Sequence, residues 1–507
     1  MDDLRSLPTP QALWEKLNRN WLAGYSDGKR AVDKARCNRD WFDDVEARRC
    51  QLQQHYQSVG AAVSPGHRPL LLIAEPNPLD CLASFWAALL ADWNVAFANP
   101  SWGDRERAAA YRILQPNLIW PAEVACEGNL SSASASSVAS SGSSRITSLS
   151  RPLNAILIPT GGTSGRIKFA HHTWTTLLTA ASSFCQTFSW PAHTYCVLPV
   201  YHVSGLMQVL RAWLSQAQVA IAPFKTLETQ PALVENPAGW YISLVPTQLA
   251  RLLTAGKGFW LSQFRAVLLG GAPPWPDILI QAAQQKIPVC LSYGMTETAA
   301  MVAVQRPKTA AFSAKHPSSG SALPHAKISI EVAGKAQPDN TLGQIVVRSR
   351  SVACGYYSGR RDRDCNRDSD RPHSQDFLDQ TFYTDDLGYL ASEGQLYVTG
   401  RISNKIISGG ENIFPAEVEA ALRSTGQVKD ICVFGQPDSQ WGEIVVAAFV
   451  PTDSSVTAAS LQSALSCGED TPLLSRYKHP KRWIRLSTIP RNAQGKLMKS
   501  ALAAQIR

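Results

Sequence analysis

The sequence predicts an α/β fold. A large N-terminal domain of parallel-sheet α/β subdomains spans residues 1–400, and a small α+β domain spans 401–507. Three observations carry this. A length of 507 residues implies more than one core, at about 100–200 residues per domain. From residue 154 to 291, short apolar runs alternate with helix-spaced segments, the pattern of a parallel sheet covered on both faces. After Arg401 the order becomes helix, strand, strand, helix, strand.

Along the chain, the first 60 residues are rich in Trp, Arg and Asp and read as helical. Residues 70–74 are expected as a buried strand, 81–92 as a helix and 95–98 as a second strand. The serine-rich tract 131–144 cannot bury enough apolar surface to offset backbone ordering, so a flexible surface loop is expected. Strands are expected at 155–158, 195–200, 241–245, 266–269 and 287–291. Helices separate them at 173–188, 205–214, from Pro246 to 253, and up to 285, with Pro246 suited to a first helical turn. The tract 359–375 is polar, mixed in charge and aperiodic, and reads as an exposed insertion. Beyond it the spacing predicts helix 415–423, strands 428–434 and 443–450, helix 457–466 and strand 481–486.

A composition of 45 % hydrophobic and 18 % charged residues is globular and excludes a disordered, collagen-like or coiled-coil chain. The apolar runs at 70–74 and 81–93 fall short of the roughly 18 residues a membrane span needs. The N-terminus MDDLRSLPTP lacks a basic region followed by an apolar one, so neither a membrane span nor a secretory leader is expected and the reading is cytoplasmic. The 11 cysteines are scattered without CxxC spacing and read as free thiols in a reducing compartment. A net charge of +9 is spread without a long Lys/Arg run, so nucleic acid is not an expected partner, and a homo-oligomer stays open.

Ligands of parallel sheets sit at the carboxyl ends of strands. Pro159-Thr-Gly-Gly-Thr-Ser-Gly-Arg-Ile-Lys168 is such a strand-end loop. Gly161, Gly162 and Gly165 let the backbone approach a ligand, while Thr160, Thr163, Ser164 and Lys168 supply hydroxyls and a cation. The combination suits a triphosphate or pyrophosphate, with a plain Gly/Ser loop as the alternative, and its spacing is not GxxxxGK[ST]. In Ser292-Tyr-Gly-Met-Thr-Glu-Thr298, Tyr293 is placed to stack on a base and Thr296 to donate to phosphate. Glu297 there is an oxygen ligand suited to Mg2+, although the segment alone also reads as a capped turn. Asp386 in YTDDLG can accept from ribose hydroxyls, and Arg401 can join it at the ribose.

These segments, with the stretch 400–419 and Pro490-Arg-Asn-Ala-Gln-Gly-Lys496, stand in the order of the acyl-adenylate-forming superfamily and resemble it: acyl-CoA synthetases, aryl-CoA ligases, luciferases and adenylation domains. The resemblance implies ATP, Mg2+ and coenzyme A. It assigns the nucleotide to Thr160, Gly161, Gly162, Thr163, Ser164, Gly165, Lys168, Gly271, Ala272, Tyr293, Gly294, Thr296, Asp386 and Arg401. It assigns the metal to Glu297 and catalysis to Lys496 and His202. A cation at Lys496 would neutralise charge as a carboxylate attacks the α-phosphate. It further implies a mobile small domain, turning on a hinge near Ser403 and Asn404. Asp385 stands where the family usually has Gly, and Ser403 where it has Asp or Lys.

His202, Arg211 and Gly271 are expected to contact the acid. Arg211 lies on an otherwise apolar helix and is costly to bury unless it meets an anion, either a second substrate carboxylate or a protein carboxylate. The segments PVYHVSG, SLVPTQLARLL and IISGGENIFPAEVE are most similar to o-succinylbenzoate–CoA ligases, and TGGTSG with Ile167 resembles their cyanobacterial and plastid-related branch. That likeness implies adenylation of o-succinylbenzoate and transfer to coenzyme A, toward menaquinone or phylloquinone. Other acyl- or aryl-CoA synthetases and carrier-protein loaders are the alternatives.

Overall fold

A computed structural model describes residues 7–26, 34–59, 68–121, 155–161, 167–188, 191–274, 276–306, 317–357, 376–466, 473–491 and 497–506. The expected loop at 131–144 and insertion at 359–375 lie outside the described residues. The chain packs as two units. One holds Met1–Glu235, Met295–Met301 and Arg348–Phe382; the other holds Asn236–Gly294, Val302–Val347 and Tyr383–Arg507.

The first unit contains a five-stranded sheet in the order Leu118–Trp120, Leu70–Ile73, Asn94–Phe97, Ile156–Gly161, Ile167–His172. Its first three junctions are parallel and the last is antiparallel. The inner strands are buried on both faces, as their unbroken apolar runs require. Leu22–Tyr25, Val219–Ile221 and Thr194–Cys196 form a second parallel group. The helix at 81–92 begins earlier, at Pro78–Leu90, because Asn77 accepts from the backbone N–H groups of Leu79 and Asp80 and Pro78 fills the first turn.

The N-terminal 60 residues are not wholly helical. Helices Pro10–Lys16 and Lys34–Val59 flank the strand Leu22–Tyr25. Their tryptophans explain the composition. Trp21 meets Trp41 and Trp213 at 4.8 and 5.4 Å between ring centroids, and Trp86 meets Trp14, Trp213 and Trp174 at 5.5, 5.2 and 5.7 Å. Such pairs add about 0.5–1.5 kcal/mol each beyond area burial. Through Trp174 and Trp213 they pack against helices Trp174–Phe188 and Val203–Leu214, the second of which carries Arg211.

In the second unit, Tyr241–Leu244, Ala266–Leu269 and Val289–Met295 run parallel. An antiparallel sheet follows, built on Lys335–Ala336, Ala326–Val332, Gly343–Ser349 and Thr381–Leu390, with Leu396–Arg401 on the last. Residues 406–506 form a further sheet in the order Glu411–Ile413, Ile406–Ser408, Gly442–Pro451, Val428–Asp438, with Arg482–Arg485 parallel to Gly442–Pro451. Helices Pro415–Ser424 and Ala458–Ser466 bury Val418, Leu422, Leu461 and Leu465 against one face of this sheet, and Ile489 and Leu502 cover the other. Every cysteine among the described residues is a free thiol, and no described helix is long and apolar enough to cross a membrane.

Candidate active site

In the first unit the strands before and after the glycine-rich segment pair with each other. Strand Ile156–Gly161 pairs antiparallel with Ile167–His172, so Thr160 faces Lys168 and Gly161 faces Ile167. Gly162, Thr163, Ser164 and Gly165 lie outside the described residues. The Lys168 ammonium stands 4.5 Å from the Tyr356 ring centroid. The Tyr356 hydroxyl donates to Glu297 Oε1 at 2.7 Å. Glu297 is buried on a single 3-10 turn, Thr296–Thr298, and its carbonyl accepts from the Ala353 N–H at 2.8 Å. The neighbouring Thr296 carbonyl receives His172 Nε2 at 2.7 Å. A carbonyl only accepts, so Nε2 carries the proton and Nδ1 faces the Thr176 hydroxyl at 3.0 Å. Burial lowers the His172 pKa to about 4, which keeps the ring neutral. Tyr356 and His172 carry no motif of their own, and sequence reasoning missed both.

The acyl-side candidates lie on helix Val203–Leu214. His202 is its N-cap residue, half-buried, with its ring 4.7 Å from that of Tyr201. Gly205 is required there, since a Cβ would sit 2.2 Å from the Pro199 carbonyl oxygen. Arg211, in the last turn, is 4 % exposed. Its guanidinium lies 4.2 Å from the Phe184 ring centroid, and Nε has no hydrogen-bond partner among the described residues. Among the described residues no carboxylate offsets its burial, which lowers its pKa to about 10. Gln208, one turn earlier on the same helix face, likewise leaves Oε1 buried and unpartnered. Of the two anions the sequence left open for Arg211, no protein carboxylate is present among the described residues.

The second unit holds a cluster of its own. Tyr293, buried at the end of Val289–Met295, donates its hydroxyl to Asp386 Oδ2 at 2.9 Å. Arg401 Nε donates to Asp386 Oδ1 at 3.2 Å, across an antiparallel pair that sets Asp386 opposite Arg401. Thr384 Oγ1 accepts from the Asp386 N–H at 3.0 Å. Burial raises the Asp386 pKa, opposed by Arg401 and Tyr293, and burial beside Asp386 raises that of Tyr293. Both carboxylate oxygens keep lone pairs beyond these two donors. Tyr293 is thus tied through its hydroxyl, a contact the expectation of a stacking ring did not include. Gly271, with φ +81°, and Ala272 are exposed after strand Ala266–Leu269. Gly294 lies half-buried next to Tyr293.

Ser403, on the turn Ile402–Asn404, gives its N–H to Asp385 Oδ1 at 3.0 Å and its hydroxyl to Asp385 Oδ2. The two residues that depart from the family pattern are therefore partners. Lys496 lies outside the described residues. Arg491 and Leu497 on either side of that stretch pair across an antiparallel bridge, and Arg491 binds Asp430 through Nε and Nη2, each at 3.0 Å.

Comparison with known proteins is consistent with this geometry. The model of the AMP-binding enzyme family matches residues 28–357, and that of the AMP-binding enzyme C-terminal domain matches 417–496. A 2-succinylbenzoate–CoA ligase of Enterococcus faecalis is 33 % identical over 349 residues, 68 % of each chain. One of Bacillus licheniformis is 34 % identical over 353 residues, 69 % of each chain. Among solved structures, the o-succinylbenzoate CoA synthetase of Bacillus subtilis in complex with its acyl-adenylate intermediate is 25 % identical, with a TM-score of 0.73 over 99 % of this chain and 98 % of that one. The same enzyme with ATP and magnesium ion gives a TM-score of 0.70 at 25 % identity, over 94 % and 95 %.

Proposed function

The chain belongs to the AMP-binding enzyme family, and from that premise we propose that it is an ATP-dependent ligase joining o-succinylbenzoate to coenzyme A. In the first step a carboxylate oxygen of the succinyl arm attacks the α-phosphorus, and pyrophosphate leaves with the broken P–O bond. In the second the coenzyme A thiolate attacks the acyl carbon and AMP leaves, giving the thioester. Adenylation supplies the leaving group that a free carboxylate lacks. The product belongs on a route toward menaquinone or phylloquinone, and the use of ATP and coenzyme A supports a cytoplasmic setting.

The observation that carries the substrate assignment is Arg211, a buried guanidinium without a carboxylate partner among the described residues. Removing a charge from water without a counter-ion is costly, so a substrate bringing a second carboxylate gains at this position. A fatty acid or a simple benzoate brings none. His202 stands at the start of the same helix, where it borders the acid, and Gly271 is assigned to the acid as well.

Thr160 and Lys168 with the glycine-rich segment take the phosphates, Thr296 donates to them, and Asp386 with Arg401 takes the ribose hydroxyls. Lys496 supplies positive charge at the reacting α-phosphate. Glu297 fits Mg2+: it is a hard oxygen donor, and among the described residues no cluster of three or more His, Cys, Asp or Glu competes for a metal. Such a site suits an ion that draws most of its shell from phosphates and water. When bound, the ion neutralises phosphate charge. Our reading sets the domain boundary at 400/401 with the hinge near Ser403 and Asn404, and the hydrophobic clusters within residues 406–506 support it.

The test is pyrophosphate release with ATP, Mg2+, coenzyme A and a panel of acids. Turnover of o-succinylbenzoate well above benzoate and fatty acids is expected. Equal use of a monoacid would overturn the assignment in favour of another acyl- or aryl-CoA synthetase, and thioester formation only on a carrier protein would favour a loading enzyme.

A further inference from the structure

Tyr356 joins two groups that the function above uses separately. It lies just outside the recognised motifs, in the sequence Cys354-Gly-Tyr-Tyr357. Three backbone contacts fix its segment. Cys354 N–H donates to the His171 carbonyl at 2.8 Å, His171 N–H donates to the Gly355 carbonyl at 2.9 Å, and Tyr357 N–H donates to the Phe169 carbonyl at 2.8 Å. Ala170 and Tyr356 thereby face each other across an antiparallel bridge. Lys168, two residues from Ala170, shares its face of the strand and becomes the diagonal neighbour of Tyr356, within reach of an aromatic side chain.

The ring is held as well as the backbone. Phe377 packs edge-on at 5.1 Å between centroids and itself rests against Phe382 at 4.7 Å. With the ring so fixed, its face meets the Lys168 ammonium and its hydroxyl meets Glu297 Oε1. The same segment also holds the Glu297 backbone, through Ala353. One oxygen of a buried carboxylate is thus engaged by a neutral donor, which fixes its orientation and leaves Oε2 for a cation. A phenol suits this task better than an ammonium, which would compete with the metal for charge.

We infer that Tyr356 is a positioning residue for the nucleotide–metal site: its hydroxyl aims the Glu297 carboxylate at the Mg2+ that accompanies ATP, and its ring face steadies Lys168. The inference rests on the function proposed above. Partners that orient a metal ligand typically contribute about 10–100-fold to metal affinity. Tyr356→Phe keeps the ring and removes only the hydroxyl. Tyr356→Leu removes the ring face as well.

The experiment titrates Mn2+ into the full-length protein with ATP present and no acid, reading free Mn2+ by electron paramagnetic resonance. Both half-reactions are followed in parallel. Tyr356→Phe is expected to weaken Mn2+ binding about tenfold with an unchanged melting temperature. Pyrophosphate release should then require correspondingly more Mg2+, while thioester formation from supplied acyl-adenylate stays at the wild-type rate. Tyr356→Leu should in addition raise the KM for ATP. Wild-type Mn2+ binding by Tyr356→Phe, or an equal loss in both half-reactions, overturns the inference while leaving the ligase intact. Should the wild-type protein itself bind no Mn2+ with ATP, the functional reading fails and this inference with it.

Discussion

Asp386 and Arg211 are both withdrawn from water, at 9 % and 4 % exposure, yet the chain treats them in opposite ways. Asp386 receives a hydroxyl from Tyr293 and a guanidinium from Arg401. Arg211 receives a ring face and no counter-ion among the described residues. A carboxylate with its donors built in is a fixed tool, ready for a part of the substrate that never varies, such as a ribose. A cation left short of an anion is, in the function proposed above, where the acid is selected. Specificity is therefore read from a deficit and general chemistry from a surplus.

Arg211→Leu breaks the contrast most directly. Truncating one partner of a buried charged pair costs about 2–5 kcal/mol, roughly 30-fold to several thousand-fold in kcat/KM for o-succinylbenzoate. Monoacid turnover, however slow, should not fall. The melting temperature of the free protein should hold or rise, because an uncompensated buried charge has been removed. A falling melting temperature would mean that Arg211 is a structural cation.

Asp386→Asn tests the other pole. It removes a charged acceptor while keeping the shape, and hydrogen bonds to charged groups contribute about 1.5–3 kcal/mol, or roughly 10–150-fold. The loss should be the same for every acid in the panel and should appear as weaker ATP use. An acid-dependent loss would move Asp386 to the acyl side and dissolve the contrast.

His172 sharpens the comparison as a third case, a buried titratable group whose burial disfavours the charged form although both of its partners can accept a hydrogen bond. Its folded pKa of about 4 lies below the unfolded 6.5, so the unfolded state holds more protons between these values. Its contribution is intact above pH 6.5 and is lost as the pH falls toward 4, by about 3 kcal/mol over the whole window. His172→Gln keeps a donor for the Thr296 carbonyl but does not titrate. Melting temperatures from pH 7 to 4.5 should fall more steeply for the wild type than for the variant, and parallel curves would contradict this.

How far these features were legible in the sequence follows from how local each one is. The helix start at Pro246 and the buried strands at 70 and 266 rest on residues a few positions apart, and sequence reading found those elements in place, while it began the helix Pro78–Leu90 at 81. The motif residues Tyr293, Asp386 and Arg401 were legible too, because their types and order carry the chemistry. The antiparallel strands from 321 to 401 were missed. Many of their positions are half-exposed, so no unbroken apolar run announces them. Strand Ile167–His172 was missed because its sequence was read as the tail of a loop. His172 and Tyr356 escaped for a different reason: their partners are 124 and 59 residues away, and only the folded chain brings them together.

The smallest expected effect comes from Ser403 and Asp385, where the contrast reappears at the surface. Both are exposed, and two hydrogen bonds join them. At about 0.5–1.5 kcal/mol per bond, each bond favours the described arrangement of the turn Ile402–Asn404 by roughly two-fold to tenfold. A proposed pivot biased that weakly can still turn. Ser403→Ala removes one bond and Asp385→Gly removes both, so each should shift the ratio of the adenylation rate to the thioester-forming rate by a few-fold, Asp385→Gly by more. The double variant should match Asp385→Gly alone, since both changes delete the same contact. Additive shifts, measured on the two half-reactions separately, would show that Asp385 acts on the neighbouring Asp386 and not on the pivot.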